Sequence, residues 1–107
     1  MEVSVSDAKL YDANGGEITS ASGTANMKFT ANVTSRCDIP VDVYTVLYDG
    51  ENLVIVNKQQ IEANTINTPI DVQFNNKALA NGHIKVFTWD STKELTPVHT
   101  PFEQFTN

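Results

Sequence analysis

The side chains able to hold a metal or move a proton are 13 acidic residues, two histidines and one cysteine. Asp12-Ala13-Asn14-Gly15-Gly16-Glu17 opens with the rhythm of a calcium loop, placing oxygen-bearing side chains at alternate positions. It lacks the rest of an EF-hand, including the distal bidentate glutamate. Asp, Asn and Gly are also what a hairpin turn requires, and a turn is the expected role. His83 and His99 fall on or beside neighbouring predicted strands, with Cys37 in a distant loop. Zinc needs three or four ligands, and none assembles here, so the histidines read as surface residues and no metal is expected. Arg36 precedes Cys37, an arrangement that can activate a thiol. An incidental loop or rim residue is the expected role, and a single cysteine forms no intramolecular disulfide.

Hydrolytic chemistry finds no support. The chain has neither a Gly-x-Ser-x-Gly elbow nor a His-Glu-x-x-His helix. No carboxylate sits in an apolar run of the kind that makes it a proton donor. Asp90 follows Trp89 at a strand end, where it is expected to bond turn amides. Asn32-Val33-Thr34 matches a glycosylation acceptor but lies inside a predicted strand and is discounted. No enzymatic activity and no cofactor are expected.

Aromatic side chains are the one group with binding potential. Tyr44 and Tyr48 share one parity of their strand, and Phe87 and Trp89 share one parity with Lys85 on another. If the two strands are neighbours and both sets point outward, four rings lie on one sheet surface. Such surfaces bind sugar rings or a partner protein. Tyr44, Tyr48, Phe87 and Trp89 are therefore the candidate ligand-binding residues. The commoner arrangement in a small sandwich puts the Trp in the core, or covers the set with the C-terminal segment carrying Phe102 and Phe105. Lys85 keeps the outward arrangement open.

The elements that position these residues are strands. Ala25, Met27, Phe29, Ala31 and Val33 alternate with polar residues, as do Ile70, Val72 and Phe74. Period two marks half-buried antiparallel strands. Residues 41–48 and 84–89 are apolar or aromatic on both faces, which places them centrally in a sheet. Val3 and Val5 share one parity and Ala8 and Leu10 the other, so the first strand carries a bulge or switches sheets. Asn14-Gly15-Gly16, Asp49-Gly50 and Asn81-Gly82 supply positive-φ residues for tight connections. Leu10-Tyr11-Asp12 and Leu47-Tyr48-Asp49 form a short echo, each leading into a turn. Residues 75–80 have room for one helical turn.

Strands are expected over 2–10, 24–34, 40–48, 52–57, 66–75, 83–89 and 95–100. About seven short strands at this spacing describe an all-β, immunoglobulin-like antiparallel two-sheet sandwich. Its inner face is expected to hold Val5, Met27, Phe29, Ala31, Val33, Val43, Leu47, Ile70, Val72, Phe74, Ile84 and Val86. Residues 1–98 form that domain, and 99–107 a C-terminal tail, free or packed on it. The chain of 107 residues suffices for one core without a metal or disulfide staple. A net charge of −6 argues against a nucleic-acid partner and against an anionic membrane surface. No apolar stretch is long enough to span a bilayer, and no signal peptide precedes the first strand. Met1 runs directly into that strand, so the natural chain is expected to be longer.

Leu-Tyr-Asp-Gly-Glu-Asn-Leu-Val at 47–54, and Lys-Val-Phe-Thr-Trp-Asp-Ser at 85–91 with Pro97 following, carry a resemblance over most of residues 3–98. The chain resembles immunoglobulin- or fibronectin-III-like accessory domains on secreted and surface proteins of Gram-positive anaerobic bacteria. That resemblance implies a non-catalytic accessory or spacer module of a larger extracellular or cell-surface protein, partnered by neighbouring domains. It carries over no catalytic or ligand residues. The alternatives are a carbohydrate-binding module that takes a polysaccharide on an aromatic sheet face, and an adhesin-like or phage-structural domain with a protein ligand.

Overall fold

The computed structural model describes residues 3–90 and 102–104. Strands β1 (Val3–Tyr11), β2 (Glu17–Ile18), β3 (Met27–Ser35), β4 (Val41–Asp49), β5 (Asn52–Ile61), β6 (Thr65–Phe74), β7 (Gly82–Asp90) and β8 (Phe102–Gln104) follow in chain order. They form two four-stranded sheets, β2-β1-β3-β6 and β5-β4-β7-β8, antiparallel throughout. The two sheets pack face to face as an all-β sandwich. No helix occurs among the described residues, so none there is long and apolar enough to cross a membrane.

The period-two pattern accounts for the core. On β3, Met27, Phe29, Ala31, Val33 and Ser35 are buried while the residues between them are half-buried. Their partners across the ladder include Phe74, Val72 and Ile70, so large apolar side chains face each other in register. Every residue of the expected inner face is buried except Val5, which is half-buried and packs against the cluster. Each buried Val, Leu, Ile or Phe contributes about 1.5–3 kcal/mol from apolar surface removed from water. β4 and β7 are central in their sheet, as their two-sided apolarity predicts.

The parity slip in β1 is a bulge. Register shifts between Ser6 and Lys9, with Asp7 at φ 54°, so Val3 and Leu10 both reach the core while β1 stays in one sheet. The Leu-Tyr-Asp echo also has a structural cause. Leu10 and Leu47 are fully buried, and the aspartates that follow fasten turns. The Asp12 Oδ1 accepts the amides of Asn14 and Gly16, and the Asp49 Oδ1 accepts that of Asn81.

Four expectations need correction. Cys37 is no rim residue: it is fully buried in the core cluster. Beyond Ser35 the chain turns back over the end of the sandwich where Val41 pairs with Ile61, and the small apolar thiol closes that end. Residues 75–80 make no helical turn. They cross between the sheets as an irregular segment held by Asn76, whose side chain accepts the Met27 amide and donates to the carbonyls of Thr24 and Lys77. Gly82 does not have positive φ. It is required because a Cβ there would lie 2.1 Å from the Ala21 carbonyl oxygen. β5 runs on to Ile61 rather than ending at 57, because Ile61 turns into the core. The strand expected over 95–100 lies outside the described residues. The strand beside β7 is β8, in the segment expected to form the tail.

Candidate functional site

The ladder between β4 and β7 decides where the four candidate aromatic residues point. Val41, Val43, Thr45 and Leu47 on β4 face the core, as do Ile84, Val86 and Thr88 on β7. Strand alternation then sends Asp42, Tyr44, Val46 and Tyr48, with His83, Lys85, Phe87 and Trp89, to the opposite face. The register sets Tyr44 opposite Phe87, Tyr48 opposite His83, Asp42 opposite Trp89 and Val46 opposite Lys85. Tyr44, Tyr48, Phe87 and Trp89 therefore share the outer face of the second sheet, each half-buried. The core placement that is commoner for a lone Trp does not occur, because Thr88 occupies the inward position.

Neighbouring side chains order this face. The Tyr44 and Trp89 rings meet edge to face, with centroids 6.4 Å apart and planes at 79°. Tyr48 stacks on His83 at 5.2 Å and 10°, and the Lys85 ammonium lies 5.6 Å from the Tyr48 centroid. An edge-to-face pair contributes about 0.5–1.5 kcal/mol beyond area burial, and a partly exposed cation–π contact about 0.5–1 kcal/mol. Val46, between these groups, is buried although it lies on the outer face. β5 extends the surface: Val56 pairs with Val46, Lys58 with Tyr44 and Leu53 with Tyr48. Leu53, Val54 and Val56 are 58%, 38% and 46% exposed, an unusual solvation for large apolar side chains lying together.

Charge is sparse here. Lys58 reaches to 3.9 Å from Asp42, and the other Asp42 oxygen is buried with no hydrogen-bond partner among the described residues. On β4, β5 and β7 the charged residues of the face are Asp42, Lys58 and Lys85, and the register sets Glu103 of β8 opposite Lys85, while the chain as a whole carries −6.

The other candidates take structural roles. The Asp12 loop is a turn whose carboxylate oxygen is engaged by two backbone amides, with Gly15 at φ 84°. Over the outer face of the first sheet, Tyr11, Asp12, Lys28, Thr30 and Gln73 line a shallow depression of about 450 Å³. Lys28 there is paired with Asp71 at 3.3 Å, so the depression gathers no set of reactive groups. Among the described residues, no group of three or more His, Cys, Asp or Glu is placed to hold a metal ion. His83 belongs to the aromatic face, and His99 and Phe105 lie outside the described residues. Sequence reasoning missed Val46, Leu53, Val54 and Val56 as parts of the face. The parity of Val46 with Tyr44 and Tyr48 was the available signal. In comparisons with known proteins, no family model, curated protein or solved structure matches the chain.

Proposed function

We propose that this domain is a non-catalytic, immunoglobulin- or fibronectin-III-like accessory module of a larger secreted or cell-surface bacterial protein. In this reading the outer face of β5, β4 and β7 is its contact surface, and a neighbouring domain of the same protein is the occupant. The observation that carries it is the face itself: Tyr44, Tyr48, Phe87 and Trp89 half-buried beside solvated Leu53, Val54 and Val56. The centres of protein interfaces are depleted in charge and enriched in Tyr, Trp and Phe, and this face has both properties on an otherwise acidic chain.

A carbohydrate-binding module is the second reading, favoured by four aromatic residues on one sheet face. Sugar recognition needs an open ring face and polar groups converging beside it. Here Tyr48 is already stacked on His83, Tyr44 and Trp89 engage each other edge to face, and the β5 side of the rim is aliphatic. Those features favour a protein surface over a polysaccharide.

The test compares amide and aromatic NMR shifts of this domain alone and joined to its natural neighbour. Shifts concentrated at Tyr44, Val56, Phe87 and Trp89 are expected, with the β2-β1-β3-β6 sheet unmoved. Shifts confined to the loops, or none, overturn the reading. Retention on an insoluble polysaccharide that Trp89→Ala or Tyr48→Ala abolishes in a folded domain would establish the second.

A further inference from the structure

The outer face of the β2-β1-β3-β6 sheet carries Tyr11. Leu10 is fully buried, so Tyr11 beside it faces outward, half-buried, and among the described residues no other ring lies against it. The register sets Lys28 opposite Tyr11 and Gln73 opposite Lys28, a row across three strands, with Thr30 in the next row of the same face. Asp12, from the turn after β1, and Asn26, just ahead of β3, join them in lining the depression of about 450 Å³. That volume falls within the roughly 300–1,000 Å³ of small-molecule sites.

The polar groups of this lining are held in place but not used up. Asp12 Oδ1 accepts two backbone amides at 2.9 Å, and Oδ2 has no partner among the described residues. Gln73 Nε2 donates to the Met27 carbonyl at 3.3 Å and leaves Oε1 open. The Asn26 side-chain amide and the Thr30 hydroxyl have no partner among the described residues. Lys28 is fixed by Asp71 at 3.3 Å and keeps further N–H groups to donate. Groups already fixed lose little freedom when a ligand arrives.

Charge and hydrogen bonding select the occupant. An anion meets one lining cation, Lys28, which Asp71 already neutralises. A cation meets one lining carboxylate, Asp12, with one oxygen already covered by two amides. An apolar ligand would strand Asn26, Thr30 and the Gln73 carbonyl without partners. A neutral ligand with hydroxyls that both donate and accept, and with one apolar C–H face, satisfies every group. We infer that this depression binds a sugar ring of a neutral glycan. The C–H face of the ring lies on Tyr11, Asp12 Oδ2 and Gln73 Oε1 accept from its hydroxyls, and Asn26 and Lys28 donate to them. An open ring with polar groups beside it is what the aromatic face of the second sheet lacks. The site is on the other sheet from that contact face, so this inference goes beyond the function proposed above and either can fail without the other.

NMR titration of the full chain with cellotetraose, mannotetraose, xylotetraose and chitotetraose, each to about 10 mM, tests it; a shallow site for one ring is expected to bind near the millimolar range. Saturable shifts with at least one probe are expected at Tyr11, Asp12, Asn26, Lys28 and Gln73, with Phe87 and Trp89 unmoved. Asn26→Gly removes the side-chain amide at a position whose φ of 57° glycine accepts, and should weaken binding about 5- to 10-fold with the fold intact. Tyr11→Ala should weaken it about tenfold. The absence of saturable shifts with all four probes overturns the inference. So do shifts that fall on Tyr44 and Trp89 and spare Tyr11, or binding that a folded Asn26→Gly chain retains in full.

Discussion

Gly82→Ala tests the contact that sets the start of β7. An ideal Cβ at Gly82 would lie 2.1 Å from the Ala21 carbonyl oxygen and 2.7 Å from its carbon. Ordinary van der Waals contact begins above 3.4 Å, so the two backbones must part by more than 1 Å. The obstacle is main chain, not the end of a flexible side chain, and Ala21 is itself fully buried. Overpacking of this kind costs about 1–3 kcal/mol, and the upper end applies where no side chain can yield. The same displacement stretches the bond from the Gly82 amide to the Ser22 hydroxyl, now 2.9 Å, worth about 1 kcal/mol more. The sum is about 3–4 kcal/mol, a fall in unfolding midpoint of about 10–20 °C for a domain near 100 residues. Gly50→Ala is the control: its Cβ meets open space, and only its φ of 58° is unfavourable, so about 1 kcal/mol is expected. Thermal and urea unfolding followed by far-UV circular dichroism measure both. If Gly82→Ala is no more destabilising than Gly50→Ala, the close approach of β7 to residues 21–22 is wrong.

Asn76→Ala removes the acceptor for the buried Met27 amide and two donated bonds, and about 2–4 kcal/mol of stability is expected to go with them. Urea unfolding checks this, and a loss under 1 kcal/mol would mean another group takes over. Trp89→Ala is expected to cost about 1–2 kcal/mol, since its ring lies half-buried on the outer face. Phe29→Ala, from the centre of the core, should cost about 3–5 kcal/mol. Equal losses in the two unfolding curves would place Trp89 in the core. The Cys37 thiol should react with a disulfide reagent only at the rate of opening in native conditions and at once in denaturant, because it is fully buried. Fast labelling of the native domain would contradict its place in the core.

The sandwich was legible where periodicity was unambiguous. Met27 to Val33 and Ile70 to Phe74 alternate without interruption, and those strands pair as their pattern requires. The aromatic face was legible too, through its neighbours: assigning Ile84 and Val86 to the core already sends Phe87 and Trp89 outward. Residue type argued the other way for Trp89, and parity won because a strand cannot turn one side chain without its neighbours. What escaped depends on contacts distant in sequence. Cys37 and Ala21 sit in stretches without periodicity, and only the path of their loops over the sheet ends buries them. The role of Gly82 comes from a carbonyl sixty-one residues earlier, which no local pattern encodes. The end of β5 was missed because Asn57 to Gln60 are polar on both parities, leaving Ile61 as the sole anchor. Ring geometry, such as the stacking of Tyr48 on His83, follows from register and rotamer together and has no signature in the chain alone.

The most direct test of an open aromatic contact face uses the single tryptophan of the chain. Emission and iodide quenching of Trp89 would be recorded in the isolated domain, with soluble glycans, and in the domain joined to the neighbour that the proposed function requires. The account predicts a quenchable signal in the isolated domain that glycans leave unchanged and the neighbouring domain protects. A blue-shifted signal that iodide cannot reach in the isolated domain, or one that a glycan protects and the neighbour does not, would contradict it.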